Sequence, residues 1–313
     1  MTGMRGKMDC FGLTDRGKKR EVNDDQFLIA DLCKSMLIHQ TSLSHEDHSR
    51  LFGGSQGKML VVADGFGRRH DGEKASAVAI DTLAQYVLNT MPWFLRLQEN
   101  REDDFVAELT HAMSRCQDMI EMMSSGSTES FGMGATLTMS FILWPRLYVV
   151  HVGACRCYLV RHGRLEQITE DQTEAQQMLE RGEITPAEAS SSRWSHVLWD
   201  YLGGGAPELS PDVYKAVLNI GDALLLCTDG LTKCLHDDEI LRIVNGKQSA
   251  EETCRMLVDK VNHLGGPDNV TVVVARFLDR GEAVEETRAV AAVAEPLPAE
   301  PALPEEPEFL PTA

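Results

Sequence analysis

The sequence predicts a layered α+β fold. Five short runs rich in Val, Leu, Ile and Tyr are bounded by Gly, Pro or charged residues, a pattern typical of β-strands. The connections between neighbouring runs are too short for crossovers, which argues against a parallel βαβ sheet. Longer segments between the runs carry apolar residues at helical spacing. The strands are expected at residues 27–30, 59–63, 135–143, 146–152 and 157–160.

Two of the three expected helices have a clear sequence signal. The first repeats apolar side chains at helical spacing from Ala75 to Val87. The last begins with a capping box, formed by Ser249 and Glu252, ahead of an apolar stripe. The helices are expected at residues 73–91, 104–123 and 249–264, and a hairpin turn at residues 144–146.

Composition limits the possible partners and the compartment. The 313 residues carry a formal net charge of −18 without a local basic patch, so neither nucleic acid nor a membrane surface is expected to bind. No run approaches the roughly 18 apolar residues of a membrane helix, and residues 1–9 lack the apolar core of a signal peptide. Eight scattered cysteines without a C-x-x-C pair favour a reducing compartment, and we expect a cytoplasmic protein.

Two segments differ in composition from the rest of the chain. Residues 33–58 form a polar insertion with three histidines, which favours a solvated loop and leaves a metal site as the alternative. Residues 281–313 contain eight Glu and one Arg in a mixture of Ala, Glu and Pro. Such a tail cannot bury a core, so we expect it to be disordered. The folded domain is expected at residues 1–280.

Three aspartates lie beside apolar, strand-like runs. Asp64 and Asp229 each end such a run and precede a glycine, and Asp268 comes just before another run. A strand that stops at a carboxylate places it at the end of the sheet, where it can hold a hard cation. Taken singly, each aspartate is better explained as a turn or cap residue. Taken together, they predict convergence on one metal centre.

Six short motifs follow one another along the chain. They are TDRGKKREVNDD at residues 14–25, ADGFG at 63–67, GEKAS at 72–76, GMGATL at 132–137, CTDGL at 227–231 and GPDNVT at 266–271. Their order and spacing resemble the metal-dependent serine/threonine protein phosphatases, the protein phosphatase 2C family, and most closely its bacterial single-domain branch. The resemblance runs from residue 9 to residue 277. Each motif alone is weak, whereas six in order are specific.

The resemblance implies both a fold and a site. The fold is a four-layer α-β-β-α sandwich, in which two antiparallel sheets are flanked by helices and a flap at residues 169–205 lies near the site. Residues 1–280 would form the phosphatase domain. The site is a pair of Mn²⁺ or Mg²⁺ ions, hard cations that prefer oxygen ligands. Such a pair activates a water for in-line attack on phosphorus.

The resemblance also implies individual roles. Asp64 would bridge both ions and Arg20 would bind the phosphate, so these two are the expected catalytic residues. A solvated position within its basic run is the alternative for Arg20. Asp25 would either ligate through water or cap its turn. The expected metal ligands are Asp229 and Asp268 for the first ion, Asp24 and the Gly65 carbonyl for the second, and Asp64 for both.

Two departures from the family pattern concern a third, loosely bound ion. Many relatives have Gly-Asp-Ser-Arg where this chain has Gly-Ala-Cys-Arg at residues 153–156, and Ala154 has no ligand atom. The other ligand position is Lys233, four residues after Asp229. We therefore expect no third metal site. The Lys233 ammonium either lies near Asp229 and replaces part of the missing charge, or faces solvent in its turn.

A further departure concerns the general acid. Phe66 stands where eukaryotic members carry a histidine that is their candidate general acid. Protonation of the leaving oxygen would then fall to a metal-bound water or to His70. A solvated loop position is the favoured interpretation of His70.

The leading hypothesis is Mn²⁺- or Mg²⁺-dependent hydrolysis of phosphoserine and phosphothreonine in proteins, by a monomer whose partners are kinases or their substrates. The alternative is a catalytically weak phosphatase-fold protein that regulates phosphorylated partners by binding them. The intact aspartates favour the enzyme, whereas the lost third-ion ligands favour the alternative. A divalent-cation sensor without phosphatase chemistry would leave Arg20 unexplained.

Overall fold

The computed structural model describes residues 6–37, 50–68, 70–89, 102–125, 132–203 and 209–279. Within these ranges the strands are β1 (Gly6–Asp15), β2 (Asp25–Leu37), β3 (Arg50–Phe66), β4 (Gly134–Leu143), β5 (Arg146–Val152), β6 (Arg156–Arg161), β7 (Arg164–Gln167), β8 (Leu202–Gly203), β9 (Asp212–Val217), β10 (Ala223–Cys227) and β11 (Val270–Asp279). The helices are α1 (Asp71–Asn89), α2 (Glu102–Ser125), α3 (Glu174–Glu180), α4 (Pro186–Ser191), α5 (Asp229–Thr232), α6 (Asp237–Val244) and α7 (Ala250–His263).

The strands form two sheets whose described pairings are all antiparallel. The first sheet has the order β1-β11-β10-β6-β7. The second has the order β2-β3-β4-β5-β9, and the short β8 pairs with β4. The β4–β5 hairpin turns at residues 144 and 145, which confirms the expected turn.

Strand β3 shows why the two sheets stack. Its side chains alternate between two clusters because successive residues of a strand point to opposite faces. Met59, Val61 and Ala63 pack with the residues of α1 and α2. Leu60 and Val62 pack with the apolar face of the first sheet, in the cluster that lies between the sheets. A continuous apolar run therefore marks a strand that is buried on both faces.

Helices cover the outer face of each sheet. On α1, Ala75, Ala79 and Leu83 form a buried stripe against the second sheet. On α7, Leu257 and Val261 are buried against the first sheet, together with residues of α6. The order helix, sheet, sheet, helix confirms the expected α-β-β-α sandwich.

Local signals in the sequence fixed the start of α7 correctly. The Glu252 N–H donates to Ser249 Oγ at 3.2 Å, and the Ser249 N–H donates to Glu252 Oε2 at 3.0 Å. These reciprocal bonds satisfy two N–H groups that the first turn of a helix leaves without partners. The capping box expected from the sequence is therefore present.

The prediction of a solvated loop over the polar insertion at residues 33–58 is wrong at both of its ends. There the strands continue, since Ser35 pairs with Phe52 and Leu37 pairs with Arg50 after register shifts near Cys33. Backbone groups of an antiparallel pair bond to each other whatever the polarity of their side chains, so polarity did not reveal these strands. Residues 38–49, which include the three histidines, lie outside the described residues.

The segment expected as a flap contains two short helices, α3 and α4. Thr173 and Thr185 cap their N-termini, and Thr185 forms a capping box with Glu188. The tail expected to be disordered, residues 281–313, lies outside the described residues. Among the described helices, none is both long enough and apolar enough to span a membrane.

Candidate metal centre

A cleft of about 450 Å³ opens where the β1–β2 loop, the ends of β3 and β10 and the loop before β11 meet. Sheet order explains the convergence, since β10 and β1 both pair with β11, and β2 pairs with β3. All the residues that the sequence implicated as catalytic or ligating line this cleft. They are Arg20, Asp24, Asp64, Gly65, Asp229 and Asp268.

Asp64 lies near the end of β3, opposite Asp25 of β2. The first turn of α1 packs directly against the next residue, Gly65. A Cβ on Gly65 would overlap the Gly72 carbonyl oxygen. Glycine is therefore required for the strand end and the helix start to meet. Burial, followed by repulsion from Asp25 and Asp229, raises the pKa of Asp64 well above its usual range.

Asp24 is held in place through its backbone. Its N–H donates to Asn269 Oδ1 at 2.9 Å, and its carbonyl accepts from the Gly65 N–H at 3.1 Å and from the Ser76 hydroxyl at 2.6 Å. Its side-chain Oδ1 is buried without a hydrogen-bond partner among the described residues, and burial raises the pKa of the carboxyl group. A buried carboxylate oxygen without a partner is costly, and a bound cation would satisfy it.

The Asn269 amide organises the loop that carries two of the site residues. Besides accepting from Asp24, it donates through Nδ2 to the carbonyls of Arg16 and Val22, each at 2.9 Å. These bonds fasten the β1–β2 loop, and with it Arg20, to the start of β11. The sequence placed Asn269 in a motif without assigning it a role, because its partners are distant in the chain.

Asp25 is buried and is not among the residues that line the cleft. Its Oδ2 accepts from the Thr228 hydroxyl at 2.8 Å. Burial is the main cause that raises the pKa of Asp25 to about 7. The same Thr228 hydroxyl accepts from the Thr271 N–H at 3.0 Å. The structure thus assigns Asp25 a part in holding the end of β10, just before Asp229.

Lys233 lies between two of the expected ligands. Its Nζ is 2.7 Å from Asp229 Oδ2 and 2.7 Å from Asp268 Oδ2. Arg20 approaches the other Asp268 oxygen, with Nε 2.7 Å from Oδ1. Burial alone would raise the pKa of Asp268, but the bonds from Arg20 and Lys233 hold it below its usual value. Two side-chain cations therefore neutralise this carboxylate.

The donor set of the cleft fits a hard divalent cation. It offers carboxylate oxygens, one of them on Asp24 without a partner, and the crowded charge around Asp64 favours a cation. Within the described ranges, no group of three or more His, Cys, Asp or Glu side chains is already arranged to hold a metal ion. Asp229 and Asp268 both contact the Lys233 ammonium.

The flap segment contributes a histidine and a tyrosine to the lining of the cleft. His196 and Tyr201 line it, and Tyr201 packs edge-to-face on Phe66 with ring centroids 5.2 Å apart. His70 instead pairs with Glu73 at 3.6 Å and has a side chain that is 65% exposed. No sequence signal pointed to His196, since it follows a polar stretch without a motif.

The start of the flap segment is fixed to the sandwich by Arg156 of β6. Its Nε and Nη2 each donate to one oxygen of Asp171 at 2.7 Å, and Nη1 donates to the Tyr158 hydroxyl at 2.8 Å. Next to it, the Gly153 N–H donates to Gln172 Oε1 at 2.7 Å. The stretch at residues 153–156 thus holds the base of the flap segment.

A family model described as protein phosphatase 2C matches residues 38–266. The matched range includes Asp64 and Asp229 and leaves out Arg20 and Asp268. The serine/threonine protein phosphatase PstP of Mycobacterium tuberculosis H37Rv is 35% identical over 222 residues, which are 71% of this chain and 41% of that protein. The chain thus spans less than half the length of this relative. The serine/threonine phosphatase stp of Listeria monocytogenes serotype 4b is 27% identical over 231 residues, 74% of this chain and 89% of that protein.

Solved structures show the same fold. The crystal structure of Mycobacterium tuberculosis PstP/Ppp has a TM-score of 0.69 and 31% identity, over 87% of this chain and 99% of that one. The catalytic domain of PstP in complex with two manganese ions has a TM-score of 0.68 and 30% identity, with the same coverage.

Proposed function

Because the chain belongs to the protein phosphatase 2C family, we propose that it hydrolyses phosphoserine and phosphothreonine esters in proteins with two Mn²⁺ or Mg²⁺ ions. Its substrates would be phosphorylated kinases or the proteins that kinases modify. The observation that carries this proposal is the convergence of four carboxylates and Arg20 on one cleft. PstP, solved with two manganese ions, supports the metal requirement by similarity.

The carboxylates would hold the ions. Asp64 would bridge them, Asp229 and Asp268 would bind the first, and Asp24 with the Gly65 carbonyl would bind the second. When bound, two such ions neutralise the phosphate and activate a water. The orphaned Asp24 oxygen supports its assignment, because a cation would satisfy it.

Arg20 would orient the phosphate. Its side chain is 53% exposed at the cleft and contacts Asp268 through Nε, which leaves both Nη groups to donate to phosphate oxygens. A guanidinium suits this task because its planar fork matches two oxygens of one phosphate. Positioning and charge neutralisation are the main needs of phosphoryl transfer.

The leaving serine or threonine oxygen requires a proton, and we assign its delivery to His196. This side chain lines the cleft, whereas Phe66 cannot donate a proton and His70 is paired with Glu73. An imidazole suits the role because its ordinary pKa lies near neutral pH.

A second candidate function is the binding of phosphorylated partners with little or no turnover. The contacts of Lys233 with Asp229 and Asp268 favour it, because an ammonium there opposes metal binding. Such a protein would bind a phosphopeptide through Arg20 and release no phosphate.

The deciding experiment is phosphate release from a phosphothreonine peptide with Mn²⁺ and with EDTA. We expect release only with Mn²⁺, and Asp64→Asn should lower it by at least about 10³-fold while the circular dichroism spectrum is retained. Asp31→Asn, which changes an exposed aspartate of β2, is the matched control and should keep full activity. Peptide binding without release would support the second function, and near-native activity of Asp64→Asn would exclude the bridging role.

A further inference from the structure

The position of Lys233 follows from a short helix. Asp229 begins α5, and Lys233 follows its last residue as the C-cap, with its N–H donating to the Asp229 carbonyl at 2.8 Å. Residues four apart on a helix lie on the same side, so the Lys233 side chain reaches Asp229. Its ammonium lies 2.7 Å from Asp229 Oδ2.

The same ammonium contacts Asp268, which comes from a different part of the chain. Lys233 Nζ donates to Asp268 Oδ2 at 2.7 Å. The other oxygen, Asp268 Oδ1, accepts from Arg20 Nε at 2.7 Å and from the Asn269 N–H at 3.0 Å. Both oxygens of Asp268 and one of Asp229 are therefore engaged by donors of the protein itself.

These bonds engage three of the four carboxylate oxygens that Asp229 and Asp268 offer to an ion. A divalent cation coordinates carboxylate oxygens directly, and an ammonium at hydrogen-bond distance competes for the charge of the same oxygens. The two cations would also repel each other at this separation. The Lys233 side chain is 26% exposed, so water screens its ion pairs less than it screens pairs on the open surface. Ion and ammonium therefore compete for this pair of carboxylates.

We propose that Lys233 is a competing cation built into the chain. It holds Asp229 and Asp268 together, and a divalent ion binds this pair only by displacing the ammonium. The proposal rests on the assignment of Asp229 and Asp268 as metal ligands in the proposed function. As a consequence, a higher metal concentration is needed to fill the first ion site. The metal concentration then sets the fraction of the protein that is active.

The contact geometry separates this role from a permanent replacement of the third ion. A replacement would lie beside the first ion and leave its ligands free. Lys233 instead bridges those two ligands, with equal distances to Asp229 and Asp268. Removal of a replacement cation would weaken metal binding or leave it unchanged, whereas removal of a competitor strengthens it.

The test compares Mn²⁺ binding by calorimetry in the unmodified protein, Lys233→Met and Lys233→Gln. Both variants should bind Mn²⁺ about tenfold more tightly, because the ion no longer displaces an ammonium. In EDTA both should melt at a lower temperature than the unmodified protein, because Asp229 and Asp268 lose their shared cation. Lys260→Met is the matched control, since Lys260 pairs with Glu239 at 3.5 Å on the outer helices. It should leave Mn²⁺ affinity unchanged.

Weaker or unchanged Mn²⁺ binding in both Lys233 variants would overturn the proposal. Two neutral substitutions of different shape keep the test valid if one of them folds poorly, as its circular dichroism spectrum would reveal. The calorimetry uses no substrate, so it measures competition between Lys233 and Mn²⁺ even in a protein without phosphatase activity. Conversely, loss of the proposed function would appear as missing phosphate release while Mn²⁺ binding still responds to Lys233.

Discussion

The Arg20 guanidinium and the Asp268 carboxylate join two loops across the cleft, with Nε 2.7 Å from Oδ1. One loop connects β1 to β2 and the other precedes β11. Arg20 is 53% exposed and Asp268 is 16% exposed, so the pair lies where the cleft meets solvent. The carboxylate thereby orients a guanidinium that remains accessible from solvent.

Substitution of this arginine should affect substrate binding. At saturating Mn²⁺, Arg20→Ala should raise KM for a phosphothreonine peptide by about tenfold or more, because a charge-assisted contact with the phosphate is lost. Lys19→Ala removes the same charge from the same loop and should change KM by less than about twofold. Steady-state kinetics measure both values. An unchanged KM for Arg20→Ala would place Arg20 on the solvated surface.

The role assigned to His196 predicts a dependence on the leaving group. His196→Gln should lower kcat on a phosphothreonine peptide by about 10²-fold, because an alkoxide leaves poorly without a proton. Hydrolysis of p-nitrophenyl phosphate should change little, since its phenolate leaves unprotonated. His70→Gln is the control and should affect neither substrate. An equal loss on both substrates would show that His196 positions the substrate and donates no proton.

The expected absence of a third-ion site predicts a simple metal titration. Ala154 lines the cleft without a ligand atom, and Lys233 brings a positive charge. Activity should therefore rise with Mn²⁺ in a single phase. Ala154→Asp combined with Lys233→Asp should add a second, weaker phase, because two new carboxylates beside Asp229 supply oxygen ligands. A weaker phase already present in the unmodified protein would contradict the loss of the third site.

The link between Arg156 and Asp171 predicts a stability difference. Asp171→Asn should lower the free energy of unfolding by about 2 kcal/mol, because it leaves a largely buried guanidinium without its carboxylate. Asp118→Asn breaks an exposed pair with Arg115 and should cost less than about 0.5 kcal/mol. Urea unfolding measures both. Equal effects would mean that the Arg156 pair contributes no more than a surface pair.

Local patterns predicted those parts of the molecule that depend on near neighbours. The apolar runs before Asp64 and Asp229 became strands β3 and β10, and the capping box at Ser249 begins α7. These features depend on residues within a few positions of each other. Burial on both faces of a strand requires a continuous apolar run, so the sequence records it directly. Recognition of six ordered motifs then supplied the arrangement of the sheets.

Tertiary structure alone decided how the site residues meet. The sequence left open whether Lys233 contacts Asp229 or faces solvent. Only the packing of β11 beside β10 brings Asp268 to the same ammonium. Tertiary structure also brought His196 into the cleft and joined the buried Asp25 to Thr228. Such contacts join segments that are distant in the chain, and no local pattern records them. Their geometry depends on how whole layers pack, which only the folded chain determines.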